Sequence, residues 1–326
     1  MKYRKLGKTD VEVSEISMGC WTMGGLNWVD GSPNGWANVD EDEIARAVKI
    51  AVDAGVNHFD NADVYGNGRA ERMLARVLKK LGLKSEDFII ATKVGHFKGT
   101  SPNAYAPNHI YRQCEQSLIN LERDYIDIYY LHHGNFGENN EYLHPAAEAL
   151  DKLVKEGKIR IKGQSAYSAE DFEKSIPVVR PAVLQSWANA MNKMFIEPGS
   201  KVAGLLEEEE LSFVAFSPLN QGLLLDKFDP ENPPVFEGGD HRKGNEKFGK
   251  EFLTNLKPKM LKLKERFGPD ISDLSAIALR YVLNYPNVAC VIPGFRNEKQ
   301  VECNLSGAER KLSPEDMEYI DKVLAD

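Results

Sequence analysis

The sequence predicts an α/β fold: a barrel of eight parallel strands, each followed by a helix. Three observations predict it. Short apolar, β-branched or aromatic runs alternate with longer amphipathic stretches, one pair per roughly 30–40 residues, which is the rhythm of strand–crossover-helix units. Eight such pairs fit the 326 residues of the chain, a length that suits an α/β barrel. The rival, an open doubly wound sheet, wants GxGxxG at its first strand–helix turn, and none follows the first strand. Residues 1–326 read as a single domain.

The elements follow in order. Met1–Val13 reads as a hairpin about Gly7-Lys8-Thr9-Asp10, ahead of the barrel. The candidate strands are Ile16–Cys20, Asn57–Asp60, Phe88–Lys93, Ile126–His132, Lys162–Ser165, Ala182–Ser186, Ser212–Phe216 and Ala289–Ile292. The first long helix, Glu41–Ala54, places Ile44, Ala47, Val48, Ala51 and Val52 at helical spacing and stops at Gly55. Ala70–Leu81 repeats the design and stops at Gly82. Asn108–Leu121, Pro145–Lys155, Ala169–Ser175, Val202–Glu209, Asp273–Leu283 and Glu298–Leu305 follow. An extra C-terminal helix, Pro314–Leu324, opens on a capping box of Ser313 and Asp316. Two segments break the rhythm, Asn27–Asn38 and Asn220–Gly249, both rich in Gly and Pro. Long strand–helix loops of a barrel sit over its active face, so these are expected to form a lid.

Composition narrows the function. Lys and Arg number 41 against 49 Asp and Glu, a net charge of −8, the wrong sign for a broad nucleic-acid footprint. No run reaches the roughly 18 apolar residues of a membrane helix. Met1–Asp10 is polar and lacks a signal-peptide core, so the protein reads as cytoplasmic. Cys20, Cys114, Cys290 and Cys303 are scattered and form no CxxC pair; they read as reduced, mostly buried thiols.

The informative residues end three successive strands. His58-Phe59-Asp60 runs into Asn61-Ala62-Asp63-Val64-Tyr65-Gly66; the next two strands end in Thr92-Lys93 and Leu131-His132-His133. A barrel gathers those ends at one mouth, so a carboxylate, a phenol, an ammonium and an imidazole converge. A free phenol, with pKa near 10, is a poor acid at neutral pH. A neighbouring ammonium lowers that pKa, and a carboxylate anchors the ammonium. Tyr65 is thus the candidate general acid, Lys93 its tuner, Asp60 the anchor of Lys93, and His132 the group that orients a carbonyl. The set suits protonation of an alkoxide while a cofactor delivers hydride to carbon. Strand alternation by itself leaves His132 and His133 undecided.

These residues make the chain resemble the aldo-keto reductase superfamily along nearly its whole length. The matching blocks are Phe59–Gly66, Thr92-Lys93, Asp127–His132, Gly157–Arg160, Phe216–Leu219 and Ile292–Gly294. The resemblance implies a (β/α)8 barrel and NADPH-dependent reduction of a small carbonyl compound, with NADH the alternative donor. It carries the four catalytic roles onto Asp60, Tyr65, Lys93 and His132, and so prefers His132 over His133. It also implies that Ser165 and Gln185 bind the nicotinamide carboxamide, where Ala166 replaces the usual Asn, and that Phe216 stacks on the ring. The backbone of Ser217, Leu219, Gln221 and Gly222 is placed near the pyrophosphate. Beyond Gly294, Arg296 is the candidate partner of the adenosine 2′-phosphate, because guanidinium matches phosphate in a fork. Gln300 stands where an Arg is often found, Cys303 where a Glu usually reads adenine, and Asn304 is retained. Trp21, Trp28, His96, Phe97 and His133 are candidates to line the substrate mouth.

Two rival readings use the same residues. A metal-dependent hydrolase would recruit His58, Asp60, His132 and His133, but adjacent histidines on a strand face opposite ways and Lys93 would sit beside the metal; no metal is expected. A regulatory subunit that holds the dinucleotide with little turnover would share the scaffold.

Overall fold

A computed structural model describes residues 1–325; Asp326, the last residue of the domain span read from the sequence, lies outside the described residues. The chain opens with the expected hairpin, β1 (Tyr3–Lys5) paired antiparallel with β2 (Glu12–Ser14). Then comes β3 (Met18–Gly19), much shorter than expected because Cys20–Met23 coils into a 3₁₀ turn. Asn27–Asn38 carries a second small hairpin, β4 (Trp28–Val29) with β5 (Ser32–Pro33). The repeating units follow: α1 (Glu41–Asp53), β6 (His58–Asp60), α2 (Arg69–Lys80), β7 (Ile89–Val94), α3 (Pro107–Leu121), β8 (Ile126–Leu131) and α4 (Leu143–Lys155). The second half holds β9 (Ile159–Ser165), α5 (Ala169–Val179), β10 (Val183–Trp187), α6 (Lys201–Glu208), β11 (Ser212–Phe216), α7 (Lys250–Phe267), α8 (Ile271–Leu283), β12 (Val288–Val291), α9 (Glu298–Leu305) and α10 (Pro314–Ala325).

One eight-stranded sheet runs β12-β11-β10-β9-β8-β7-β6-β3, with each strand pairing parallel to the next. Its ends meet: Ile16 bridges Val291 and Gly19 bridges Gly294, and the Ser17 amide donates to the Val291 carbonyl at 3.0 Å. The sheet is therefore a closed barrel without edges. Leu6, Val11 and Val13 of the hairpin pack with Ala91, Ile128, Tyr130, Ile161, Val183, Val214 and Cys290 inside the barrel. Phe59, Tyr129 and Leu131 alternate outward into the helix layer.

That alternation fixes the site. Positions 91, 128, 130, 161, 183 and 214 point inward. Continuing in steps of two toward the strand ends reaches Lys93, His132, Ser165, Gln185 and Phe216. Asp60 has the inward parity on β6, two residues beyond His58, which meets Cys290 inside the barrel. By that parity His132 faces the barrel mouth with Lys93 and Gln185, and the adjacent His133 has the opposite parity.

The sequence reading passed over α7 entirely. Its buried Leu253, Leu256, Met260, Leu263 and Phe267 have helical spacing, but Pro258 reads as a breaker and dense lysines dilute the apolar signal. The capping box at α10 is present: the Ser313 amide donates to Asp316 Oδ2 at 3.0 Å, and the Asp316 amide donates to Ser313 Oγ at 3.1 Å. All four cysteines are free thiols, with only Cys303 partly exposed. Among the described residues no helix is long and apolar enough to cross a membrane.

Candidate active site

Lys93 is fully buried and organises the site. Its ammonium donates to Asp60 Oδ1, to the Asn61 carbonyl at 2.6 Å and to Tyr65 Oη at 3.2 Å. The other Asp60 oxygen accepts from Gln185 Nε2 at 2.8 Å. Asp60 thus has both oxygens occupied, and Lys93 is pinned from three sides. Breaking such a pair strands an uncompensated charge indoors, which costs about 3–5 kcal/mol.

Tyr65 reaches this cluster from the loop after β6. Its ring meets the His132 ring edge-on at 5.9 Å and stacks at 5.9 Å on Trp21. The lowering expected from Lys93 is not what the surroundings produce. Desolvation, with Asp60 and Cys20 adding, pushes the Tyr65 phenol well above its ordinary value. Burial is the main cause, and the nearby Asp60 carboxylate adds to it by disfavouring a phenolate. Burial, with His96 and Lys93 adding, holds His132 well below its ordinary value. At neutral pH the pit therefore holds a protonated phenol beside an uncharged imidazole.

Ser165 and Gln185 lie directly opposite each other on β9 and β10. Ser165 Oγ is buried without a protein partner, as a hydroxyl waiting for a ligand amide would be. The Ala166 amide donates to the Gln185 carbonyl. Phe216 ends β11 with a partly open ring, 6.2 Å from Trp187. Beyond it the backbone doubles back through left-handed residues, with φ of 53° at Ser217, 46° at Asn220 and 56° at Gln221. Non-glycine residues pay for that conformation in strain, which gathers at ligand sites. Gly222 follows with φ of 93°, and a Cβ there would lie 2.7 Å from Lys227 Nζ, so glycine is what admits the lysine.

Lys227, Arg242 and the neighbouring His241 come from the Asn220–Gly249 segment and were not singled out by the sequence reading. The two irregular segments lie together: Gly35 bridges Asp240, the His241 amide donates to the Gly35 carbonyl at 2.8 Å, and His241 packs 4.6 Å from Trp21. They form one strap at the barrel mouth. Arg242 is buried, stacks on Trp36 and Phe236, and donates from Nε and Nη2 to the two oxygens of Asp240. Arg296 donates to the Ala37 carbonyl at 2.5 Å. Lys227 makes no ion pair among the described residues. The residue is exposed overall, yet desolvation, with Arg242 and Arg296 close by, pushes its pKa down to about 8. Gln300 Oε1 accepts from the Arg296 amide at 2.8 Å, and Asn304 Nδ2 donates to the Gly294 carbonyl at 3.4 Å. Three cations facing one paired carboxylate, next to a strained turn, fit an anionic dinucleotide.

The candidate substrate residues divide. Trp21 covers Tyr65, with its Nε1 donating to the Asn34 carbonyl at 3.1 Å. His133 is at the mouth, but Nε2 contacts the Gly95 carbonyl at 2.7 Å and Nδ1 accepts from the Asn135 amide, which leaves only its ring to a ligand. Phe97 pairs with His109 of α3, and Trp28 is half exposed and rides over Gly239 in the strap. Tyr167 and Trp187, which the sequence reading did not single out, are at the mouth with His96.

The Aldo/keto reductase family model matches residues 15–325. An uncharacterized oxidoreductase of Bacillus subtilis is 28% identical over 98% of this chain and 95% of its own length. A probable voltage-gated potassium channel subunit beta of Oryza sativa is 27% identical over 99% of this chain and 97% of its own. Among solved structures, an aldo-keto reductase from Bacillus halodurans in its holo form matches with a TM-score of 0.75 and 26% identity, covering 99% of this chain and 96% of that one.

Proposed function

The chain belongs to the aldo/keto reductase family, and from that premise we propose that it reduces aldehydes or ketones to alcohols with NADPH as donor and Tyr65 as the proton donor. The observation that carries the reading is Lys93 held between Asp60 and Tyr65, with the His132 ring edge-on to the phenol. A substrate carbonyl oxygen seated there accepts from Tyr65 Oη and from His132 in the tautomer that carries its proton on Nε2. A dinucleotide held by the residues named below would supply the hydride for the carbonyl carbon. As negative charge grows on the oxygen, Tyr65 gives up its proton, and the Lys93 ammonium stabilises the phenolate left behind. Asp60 and the Asn61 carbonyl keep Lys93 in place throughout, and Gln185 keeps Asp60 from turning. Solvent then returns a proton to Tyr65.

Ser165 and Gln185 would hold the carboxamide, Phe216 the nicotinamide face, and the Ser217–Gly222 backbone with Lys227 and Arg242 the pyrophosphate. Arg296, Gln300 and Asn304 would take the adenosine end, Arg296 against the 2′-phosphate. We place the protein in the cytoplasm as one barrel domain acting on small molecules.

Tyr65→Phe tests the proton donor. The turnover number is expected to fall by about 10²–10⁴-fold, the usual worth of a positioned acid, with dinucleotide affinity within twofold of wild type. Near-wild-type reduction by this variant would remove Tyr65 from the mechanism. The similarity to a potassium channel subunit beta keeps a second reading in view, a dinucleotide-holding subunit. Saturable NADPH binding with negligible turnover across a panel of aldehydes would favour it.

A further inference from the structure

The rings around Tyr65 differ in what they offer a substrate. Trp21 has its N–H committed to a backbone carbonyl and presents an apolar face. Beyond His132 the wall is polar. His96, from the loop after β7, packs edge-on to His132 with ring centres 4.2 Å apart. Its Nε2 lies 3.0 Å from the hydroxyl of Tyr167, from the loop after β9. Tyr167 in turn stacks nearly flat on Trp187, 5.8 Å away at 9°, and Trp187 meets Phe216. This wall therefore runs from the imidazole that would orient the carbonyl to the ring that would face the nicotinamide.

Its hydrogen-bonding capacity is not used up. The single contact between His96 and Tyr167 leaves Nδ1 of His96 without a protein partner among the described residues, and leaves spare capacity on the Tyr167 oxygen. A purely apolar substrate would seal these groups away from water unpaired, which is unfavourable; a substrate with hydroxyls next to its carbonyl would pair them. The wall also lacks free positive charge. Burial holds His96 down at about 4. Lys98 turns to the Pro102 carbonyl, and Lys174 pairs with Asp171 at 2.7 Å. The cations without a carboxylate partner, Lys227 and Arg296, lie on the adenosine side, and Arg242 beside them pairs with Asp240.

We propose that His96 and Tyr167 form a specificity wall that selects short, hydroxylated, uncharged carbonyl compounds over apolar or phosphorylated ones. The inference rests on the reductase reading and names its substrate class. A hydroxyl next to the carbonyl donates to His96 Nδ1 or exchanges hydrogen bonds with Tyr167 Oη. An apolar chain leaves both unpaired, and a phosphate finds no cation.

The experiment compares kcat/KM for glyceraldehyde, butanal and glyceraldehyde 3-phosphate in wild type, Tyr167→Phe and His96→Phe. Wild type is expected to favour glyceraldehyde at least tenfold over each of the others. Tyr167→Phe keeps the stack on Trp187 and is expected to cut the glyceraldehyde-to-butanal ratio about tenfold, or about 1.4 kcal/mol. His96→Phe should move the same ratio the same way. An unchanged ratio in both variants, or a wild type that prefers butanal or the phosphate ester, overturns the proposal. If no carbonyl is turned over, the reductase reading fails, and tryptophan-fluorescence titrations with glycerol and 1-butanol then judge the wall separately. A preference for glycerol that Tyr167→Phe abolishes supports it; equal binding overturns it.

Discussion

In the pit at the strand ends, charge is balanced residue by residue. Lys93 faces Asp60, Asp60 is closed off by Gln185, and the Asn61 carbonyl takes a further donor of Lys93. In the strap the balance fails: Asp240 is shared with Arg242, Arg296 leans on a backbone carbonyl, and Lys227 stands near both guanidinium groups. The pit is carried by rigid strands and the strap by loops. Under the proposed function the labour is divided: compensated charge holds geometry for chemistry, whereas uncompensated charge is left for an anion to complete, at some cost to the protein without it.

The most severe way to break this comparison is Asp60→Ala. It strands the buried Lys93 ammonium, so urea unfolding is expected to show a loss of about 3–5 kcal/mol. Lys227→Met in the strap removes a cation from a cationic cluster and is expected to leave unfolding free energy unchanged or slightly raised. Equal destabilisation by the two variants would erase the distinction between pit and strap.

Arg296→Ala tests the cation that meets the strap at Ala37 from the loop after β12. A hydrogen bond between charged groups is worth about 1.5–3 kcal/mol, so NADPH affinity is expected to fall by roughly tenfold to a hundredfold. NADH affinity should change little, because it lacks the 2′-phosphate. Fluorescence titration with both dinucleotides reads the difference, and equal losses would mean that Arg296 does not read that phosphate.

The two regions also differ in how much of them the sequence revealed. Strand alternation alone left His132 and His133 open, since only the fold shows that Ile128 and Tyr130 face inward. The pit was nevertheless legible, in its residue types and in their match to a known family. The strap was not. Its residues have no period, and what brings Lys227 and Arg242 to Arg296 is the meeting of Gly35 with Asp240 across some two hundred residues of chain. The one available signal was Lys and Arg in a Gly- and Pro-rich segment, which a solvated loop also shows. The missing α7 has a related cause, since Pro258 and the lysines obscured its apolar spacing. The direction of the Tyr65 shift was not legible, because residue types alone do not show how completely the phenol is buried.

The smallest expected effect tests the strap through pH. Lys227 is held near 8 without a ligand, by desolvation and by the neighbouring Arg242 and Arg296. A bound phosphate favours the charged amine, so binding raises that pKa. Below pH 8 the ammonium is already formed and dinucleotide affinity is insensitive to pH. Above pH 8 each binding event must recover a proton, so affinity declines toward tenfold per unit until the pKa of the bound form is reached. Between pH 7 and 9 the dissociation constant for NADPH should therefore rise by several-fold, up to roughly tenfold. Lys227→Arg supplies a cation that does not titrate in this range, and its profile should be flat. The pit has no part in this response, because Tyr65 stays protonated and His132 stays neutral across the whole interval. A slope that persists in Lys227→Arg would assign the titration elsewhere and remove Lys227 from the phosphate site.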